Sequence, residues 1–141
     1  MRHLTSLILS LLLIGNSMTS ADDPVLFVSA FAASEKGAIH SYQFESKTGR
    51  LKMLHRTTDI EHPFFMTVSA DGRFLYAIDS LKFGDDQDEF VAAYSIEAKT
   101  GKLHRLNRQS ARGTTSCYLD IDDSGKTVVV ANYSSGNVAA L

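Results

Sequence analysis

The sequence predicts an all-β chain that forms part of a β-propeller with four-stranded blades. The turn Thr-Gly-Arg-Leu at residues 48–51 recurs as Thr-Gly-Lys-Leu at residues 100–103, an offset of 52. The segment around Asp71-Gly72 recurs around Ser124-Gly125, an offset of 53. After residue 21, no stretch combines a helical apolar period with helix caps. Repeats of this length that contain only short strands are typical of propeller blades.

Alternating apolar residues and turn residues predict one complete blade in the middle of the chain. Asp71-Gly72, flanked by two β-prone segments, is a hairpin signal. The fourth segment is more polar than the others, as suits a strand at an outer edge. The four predicted strands of this blade are residues 65–68, 74–78, 90–96 and 103–108.

The segments on either side predict two incomplete blades. Residues 25–30 align with the second strand of the middle blade, so the first blade lacks an inner strand. Residues 119–121 and 128–131 predict the first two strands of a third blade, and residues 137–141 begin its third strand. The sequence therefore predicts about two and a half blades.

The first 21 residues are typical of a secretory signal peptide. Arg2 and His3 precede an apolar run from Leu7 to Ile14, and small residues lead to Ala21. The alternative is a membrane anchor, but spanning a bilayer takes roughly 20 mainly apolar residues and Gly15 interrupts this run early. We therefore expect residues 1–21 to be removed and residues 22–141 to be exported to the periplasm or the extracellular space, without stable membrane insertion.

The charge balance argues against nucleic acid as the main partner. The chain has 14 Lys and Arg against 16 Asp and Glu, and Arg2 is the only one of these charges in the leader. The remainder is acidic, whereas nucleic-acid binding usually needs a basic surplus on one face. The single cysteine, Cys117, excludes an internal disulfide framework and a zinc site with several cysteines.

No motif indicates a metal or a cofactor, and we expect neither. Asp120 to Gly125 resembles the start of a calcium loop, but the twelfth position is Ala131 instead of Glu, and a hairpin explains the segment. The acidic loop from Asp85 to Glu89 is expected to be solvated. The remaining histidines show no paired ligand spacing.

Three strings in phase with the repeats resemble the lactonase family of seven-bladed propellers. They are residues 62–77, the Thr-Gly-Lys-Leu turn, and Val-Ala-Asn-Tyr-Ser-Ser-Gly-Asn-Val at residues 130–138. This family includes 6-phosphogluconolactonases and a fungal carboxymuconate cyclase. The resemblance implies that Val25 to Leu141 are the N-terminal two and a half of seven blades, truncated at the C-terminus. It also implies that further blades close the ring and supply most catalytic residues.

Strand direction places five candidate site residues at one end of the blades. His62 precedes an inner strand and Asp79 follows the returning strand, so both lie at the same end. Tyr118, Asn132 and Tyr133 fall there by the repeat. Ligands tend to bind where loops converge at such mouths.

Lactone opening needs a base for water and donors for the oxyanion. His62 is the candidate acid or base, Asp79 its orienter and Asn132 a donor, while Tyr118 and Tyr133 are candidate substrate contacts. A structural interpretation stays open for each. His62 precedes Pro63 and can cap an extended segment, and the equivalent positions of Asp79 and Asn132 suggest a repeated loop cap.

Three functions remain open from the sequence. The leading hypothesis is metal-independent hydrolysis of a sugar lactone, as in 6-phosphogluconolactonases. The first alternative is an exported propeller that serves as a binding scaffold without catalysis, and the second is a muconate-type cycloisomerase. Charged His, Arg and Glu side chains on the candidate rim of later blades would favour the enzyme, and an uncharged rim would favour the scaffold.

Overall fold

The computed structural model describes residues 23–141, so the predicted signal peptide lies outside the described residues. The described chain is all-β apart from one short 3₁₀ helix at Ser34–Lys36. Within this part, no helix is long and apolar enough to cross a membrane. The strands are β1 (Val25–Ala30), β2 (Ala38–Glu45), β3 (Arg50–Thr57), β4 (Met66–Val68), β5 (Phe74–Asp79), β6 (Phe90–Glu97), β7 (Lys102–Ser110), β8 (Ser116–Ile121), β9 (Val128–Asn132) and β10 (Asn137–Ala140).

These strands form three antiparallel sheets in chain order. The middle sheet has the order β4-β5-β6-β7 and is the complete four-stranded blade that the sequence predicts. The first sheet, β1-β2-β3, begins at a second strand, and the third sheet, β8-β9-β10, ends at a third strand. The predicted fold class and the two and a half blades are confirmed.

The repeat is visible in backbone detail. The register shifts between Ser41 and Tyr42 in the first blade and at the equivalent Ala93 and Tyr94 in the second. Gly101 turns the chain at φ 64°, and a Cβ added there would come within 2.8 Å of the Ser41 Cβ and 2.9 Å of a Val25 methyl. Glycine is therefore required at Gly101 both by the turn and by the close approach of the first blade.

Two apolar layers hold the blades together. The layer between the first and second blades is centred on Tyr94, which is fully buried with Ile39 and Leu75. The layer between the second and third blades places Ile78 against Leu119. Side chains alternate between the two faces of each strand, and those on one face pack into these layers. The packing of neighbouring blades therefore fixes the ends of all three sheets relative to one another.

The blades have two ends, which we call the upper rim and the hairpin rim. The upper rim comprises the loops that precede β4 and β8 and those that follow β1, β5 and β9. The hairpin rim comprises the tight turns at residues 69–73 and 122–127 and those that follow β2 and β6. All five candidate site residues belong to the upper-rim half of the blades.

Candidate functional site

His62 lies on the upper-rim loop between two buried anchors, Ile60 and Pro63. Its backbone is left-handed, with φ 40°. The prediction that the residue before Pro63 is extended is therefore wrong. The His62 N–H donates to the Ala32 carbonyl at 3.0 Å, and its ring Nδ1 lies 2.9 Å from the Ser80 carbonyl. These contacts with two other loops hold a backbone conformation that a non-glycine residue rarely adopts.

One hydrogen bond sets the tautomer of the neutral His62 ring. A carbonyl oxygen can only accept, so Nδ1 donates to Ser80. In the neutral imidazole, Nε2 then carries the lone pair, and the half-buried ring retains access to solvent. This arrangement lets Nε2 accept a proton from a bound water.

Asp79 does not orient His62, contrary to the sequence-based hypothesis. Its buried carboxylate accepts the Glu61 N–H at 3.0 Å and lies 2.5 Å from Nη2 of Arg105 and 2.9 Å from Nε of Arg108. The Arg108 guanidinium also lies 3.6 Å from the Phe90 ring centroid. Asp79 thus joins the loop before β4 to the outer strand of the same blade. The carbonyl of Ser80, and not Asp79, orients the His62 ring.

Asn132 is a buried loop cap. Its amide nitrogen donates to the Ala111 carbonyl at 2.9 Å and contacts Oδ1 of Asn137 at 3.3 Å. Its Oδ1 accepts the Ser116 hydroxyl at 2.7 Å. Because both amide hydrogens are engaged in this arrangement, the expected role of Asn132 as an oxyanion donor does not fit the structure, whereas the structural interpretation does.

Tyr118 and Tyr133 have exposed side chains in the upper-rim half of the blades. Tyr118 is 51% exposed and packs against Phe65 of the neighbouring blade, with 4.6 Å between the ring centroids. Tyr133 is 78% exposed, and its N–H donates to the Thr115 carbonyl at 2.9 Å. Both side chains can therefore reach a ligand at this rim.

Sequence reasoning missed the role of Glu89. The sequence predicts that the whole acidic loop is solvated, but Glu89 is only 3% exposed. Its carboxylate accepts the Ser80 hydroxyl at 3.1 Å and the Ser116 N–H at 2.7 Å. Glu89 stands directly before the apolar strand β6. This position is the sequence signal that could have predicted its burial, in contrast to the exposed aspartates of the same loop. Glu89 links the second and third blades directly below the rim.

Sequence reasoning also missed an aromatic cluster beside His62, formed by Phe31, Phe64 and Phe83. The Phe31 ring lies 5.2 Å from the His62 ring and 5.7 Å from Phe64, and Phe64 stacks on Phe83 at 5.0 Å. Each ring comes from a different loop. No local sequence pattern reports such a contact, because the three phenylalanines lie in loops that are distant from one another in the sequence.

The described residues contain no group of three or more His, Cys, Asp and Glu side chains placed to hold a metal ion. The segment that resembles a calcium loop is a hairpin, as predicted. Asp122 uses one carboxylate oxygen to accept the N–H groups of Lys126 and Thr127, both at 2.8 Å, and the other contacts the Ser124 hydroxyl. Its oxygens are committed to the turn.

Comparisons with known proteins agree with the architecture. Residues 25–141 match the family model described as "Lactonase, 7-bladed beta-propeller". A 6-phosphogluconolactonase of Formosa agariphila is 28% identical over 115 residues, which are 81% of this chain and 32% of the relative. A 6-phosphogluconolactonase of Bacillus subtilis is 27% identical over 79% of this chain and 31% of its own length.

Solved structures give the same result. A Bacteroides fragilis protein described as a candidate 6-phosphogluconolactonase superposes with a TM-score of 0.70 at 33% identity, over 82% of this chain and 31% of that chain. A periplasmic gluconolactonase of Pseudomonas aeruginosa superposes with a TM-score of 0.62 at 25% identity, over 83% of this chain and 34% of that chain. The chain spans about a third of the length of these relatives.

Proposed function

Because the chain belongs to the lactonase family of seven-bladed β-propellers, we propose that this protein hydrolyses a sugar lactone. The match over residues 25–141, together with relatives named as 6-phosphogluconolactonases and a gluconolactonase, supports a cyclic ester of a sugar acid as the substrate class. The structural observation that best supports the proposal is the geometry of His62. Its ring is held by the Ser80 carbonyl, and this leaves Nε2 as the proton acceptor.

The proposed reaction is the attack of water on the lactone carbonyl. His62 Nε2 accepts a proton as the water oxygen bonds to the carbonyl carbon. The ring C–O bond then breaks, and a proton returns to the departing alkoxide, so the product is an open-chain hydroxy acid. No other reactant is needed.

Tyr118 and Tyr133 are the proposed substrate contacts of this chain, since their phenol groups are exposed at the upper rim. Phenol hydroxyls can both donate to and accept from sugar hydroxyls. Asp79, Asn132 and Glu89 hold the loops that carry the site. Further donors for the developing oxyanion are expected from other blades of the family fold.

We place the activity outside the cytoplasm. The signal-peptide pattern of residues 1–21 supports export, and the similar Pseudomonas aeruginosa gluconolactonase is described as periplasmic. Export favours an unphosphorylated lactone, because phosphorylated sugars of central metabolism are cytoplasmic.

The test measures acid release by the full-length gene product with D-glucono-1,5-lactone and with its 6-phosphate, corrected for spontaneous opening. We expect hydrolysis above the spontaneous rate for at least one lactone. His62→Gln should lower kcat/KM about 100-fold, since a general base contributes at least this much.

His104→Gln is the matched control. His104 is an exposed histidine on β7, 3.9 Å from Glu97, and it lies away from the upper rim. This variant should retain the parent rate. Activity equal to the spontaneous rate with both lactones would refute the proposed function, and full activity of a folded His62→Gln variant would refute the role of His62.

A further inference from the structure

The aromatic cluster of Phe31, Phe64 and Phe83 is built from three separate segments. Phe31 follows β1, Phe64 precedes β4, and Phe83 lies in the loop between β5 and β6. Phe64 and Phe83 are stacked with 24° between their planes, and Phe31 meets them edge-on at 77° and 88°. Offset-stacked and edge-to-face pairs are the preferred aromatic arrangements. The three rings therefore pack against one another in preferred arrangements.

These rings remain open to solvent despite their mutual contacts. Phe31 is 49% exposed and Phe64 is 44% exposed. By contrast, the layers between the blades bury Tyr94 and Leu75 completely. The cluster therefore keeps apolar ring surface free for contact with a ligand. The exposed ring surface stands beside the candidate base, because the Phe31 ring lies 5.2 Å from the ring of His62.

We propose that this cluster is the platform on which the ring of the sugar lactone stacks. This inference rests on the proposed function and extends it to a binding site and a ligand class. A sugar ring presents one face of C–H bonds, whose weakly positive hydrogens are attracted by the negative face of an aromatic ring. A lactone stacked here lies beside His62, so the same contact that binds the ring brings its carbonyl toward Nε2.

The charges around the platform favour an uncharged sugar. The loop that carries Phe83 also carries Asp85, Asp86 and Asp88, against one basic residue, Lys82. Carboxylates repel a phosphate within about a Debye length and can accept hydrogen bonds from sugar hydroxyls. The platform therefore selects an unphosphorylated sugar lactone.

The test uses the full-length gene product and D-glucono-1,5-lactam, a ring analogue that does not hydrolyse. Saturation-transfer NMR with irradiation at aromatic frequencies should label the C–H protons of one face of the lactam most strongly. Titration calorimetry should show binding about fivefold to tenfold weaker for Phe64→Leu, which keeps apolar bulk but loses the aromatic face. Phe64→Tyr should bind as the parent does.

Leu81→Ala is the matched control, since Leu81 lies in the same loop as Phe83 and is 59% exposed without an aromatic ring. It should bind within about twofold of the parent. If Phe64→Leu unfolds, Phe31→Leu provides the same comparison. Unchanged affinity in the leucine variant, equal weakening in Leu81→Ala, or no lactam binding by the parent would each overturn the platform. Lactone hydrolysis is measured separately. Lactam binding that does not depend on the three rings, together with lactone hydrolysis by the parent, refutes this inference and leaves the proposed function standing.

Discussion

The two rims of the blades are built by different kinds of contact. On the hairpin rim, Asp71 accepts the Ser69 hydroxyl at 2.7 Å and the Arg73 N–H at 3.0 Å, all within five residues of chain. On the upper rim, the Ser34 N–H donates to Glu61, and the Ser116 N–H donates to Glu89, each across 27 residues.

This difference agrees with the proposal that the site lies at the upper rim. The hairpin turns around Gly72 and Gly125 make their side-chain hydrogen bonds within the turn, and they recur from one blade to the next. They therefore indicate that a blade is present and say nothing about its function. The loops of the upper rim hold one another, and they differ between blades: the equivalents of His62 and Asp79 in the next blade are Thr115 and Asn132. A site on a repeated fold needs different side chains at equivalent loop positions, while the strands that carry those loops keep the same geometry.

The largest expected effect concerns Asp79. Asp79→Ala removes the buried acceptor shared by Arg105, Arg108 and the Glu61 N–H. Removing one partner of a buried ion pair costs about 3 kcal/mol. Here the substitution leaves Arg108 over the Phe90 ring without its carboxylate. Urea unfolding should show this loss of free energy. Asp71→Ala on the hairpin rim should lose much less, and equal losses at the two rims would contradict the comparison.

The next effect concerns Glu89. Glu89→Ala removes the acceptor of the buried Ser116 N–H and of the Ser80 hydroxyl, and each unsatisfied buried group costs about 1–3 kcal/mol. Glu89→Gln keeps an acceptor and should lose less. Hydrogen exchange should show faster exchange of the Ser116 amide in the alanine variant.

Asp86→Ala is the control for Glu89, because Asp86 is an exposed acid of the same loop. It should leave both the unfolding free energy and the exchange of Ser116 unchanged. Exchange of Ser116 at the parent rate in Glu89→Ala would show that the carboxylate does not join the two blades.

The smallest effect concerns acid pH and the hairpin rim. Hydrogen bonds from the Ser69 hydroxyl, and then from Arg73, lower the pKa of Asp71 from 3.8 to about 2. Bonds from the Ser124 hydroxyl and the Thr127 N–H lower the pKa of Asp122 to about 2 as well. A depressed carboxyl pKa favours the folded state above the unfolded pKa, so this contribution is lost as the pH falls from 3.8 through about 2.

A matched variant tests whether each hairpin is independent. Ser69→Ala should raise the pKa of Asp71 and leave that of Asp122 at about 2, as followed by NMR titration of the two carboxyl carbons. A shift of both values would mean that the hairpins are coupled, against the local construction of this rim.

The sequence predicts the hairpin rim far better than the upper rim, for a physical reason. Asp71-Gly72 and the Thr-Gly turns encode their geometry within a few residues, so pattern and turn chemistry suffice. The contacts of Arg105 with Asp79 and of Glu89 with Ser116 join residues 26 and 27 positions apart, and no local pattern reports them.

Strand direction still places His62, Asp79 and Asn132 at one end, because that follows from topology alone. Their partners do not follow from it. Whether a carboxylate orients a histidine or binds an arginine depends on which outer-strand side chains reach it, and this is set by packing between distant segments. For the same reason the burial of Glu89 and the meeting of Phe31, Phe64 and Phe83 could not be predicted from the sequence.

The most direct test of the account is to map ligand binding onto the two rims. Amide chemical shifts of the full-length gene product would be followed as D-glucono-1,5-lactam is added. We expect the amides of His62, Ser80 and Thr115 on the upper rim to shift in a saturable way, while Gly72 and Gly125 on the hairpin rim stay unmoved. Saturable shifts at the hairpin glycines, with the upper-rim amides unmoved, would contradict the assignment of function to the upper rim.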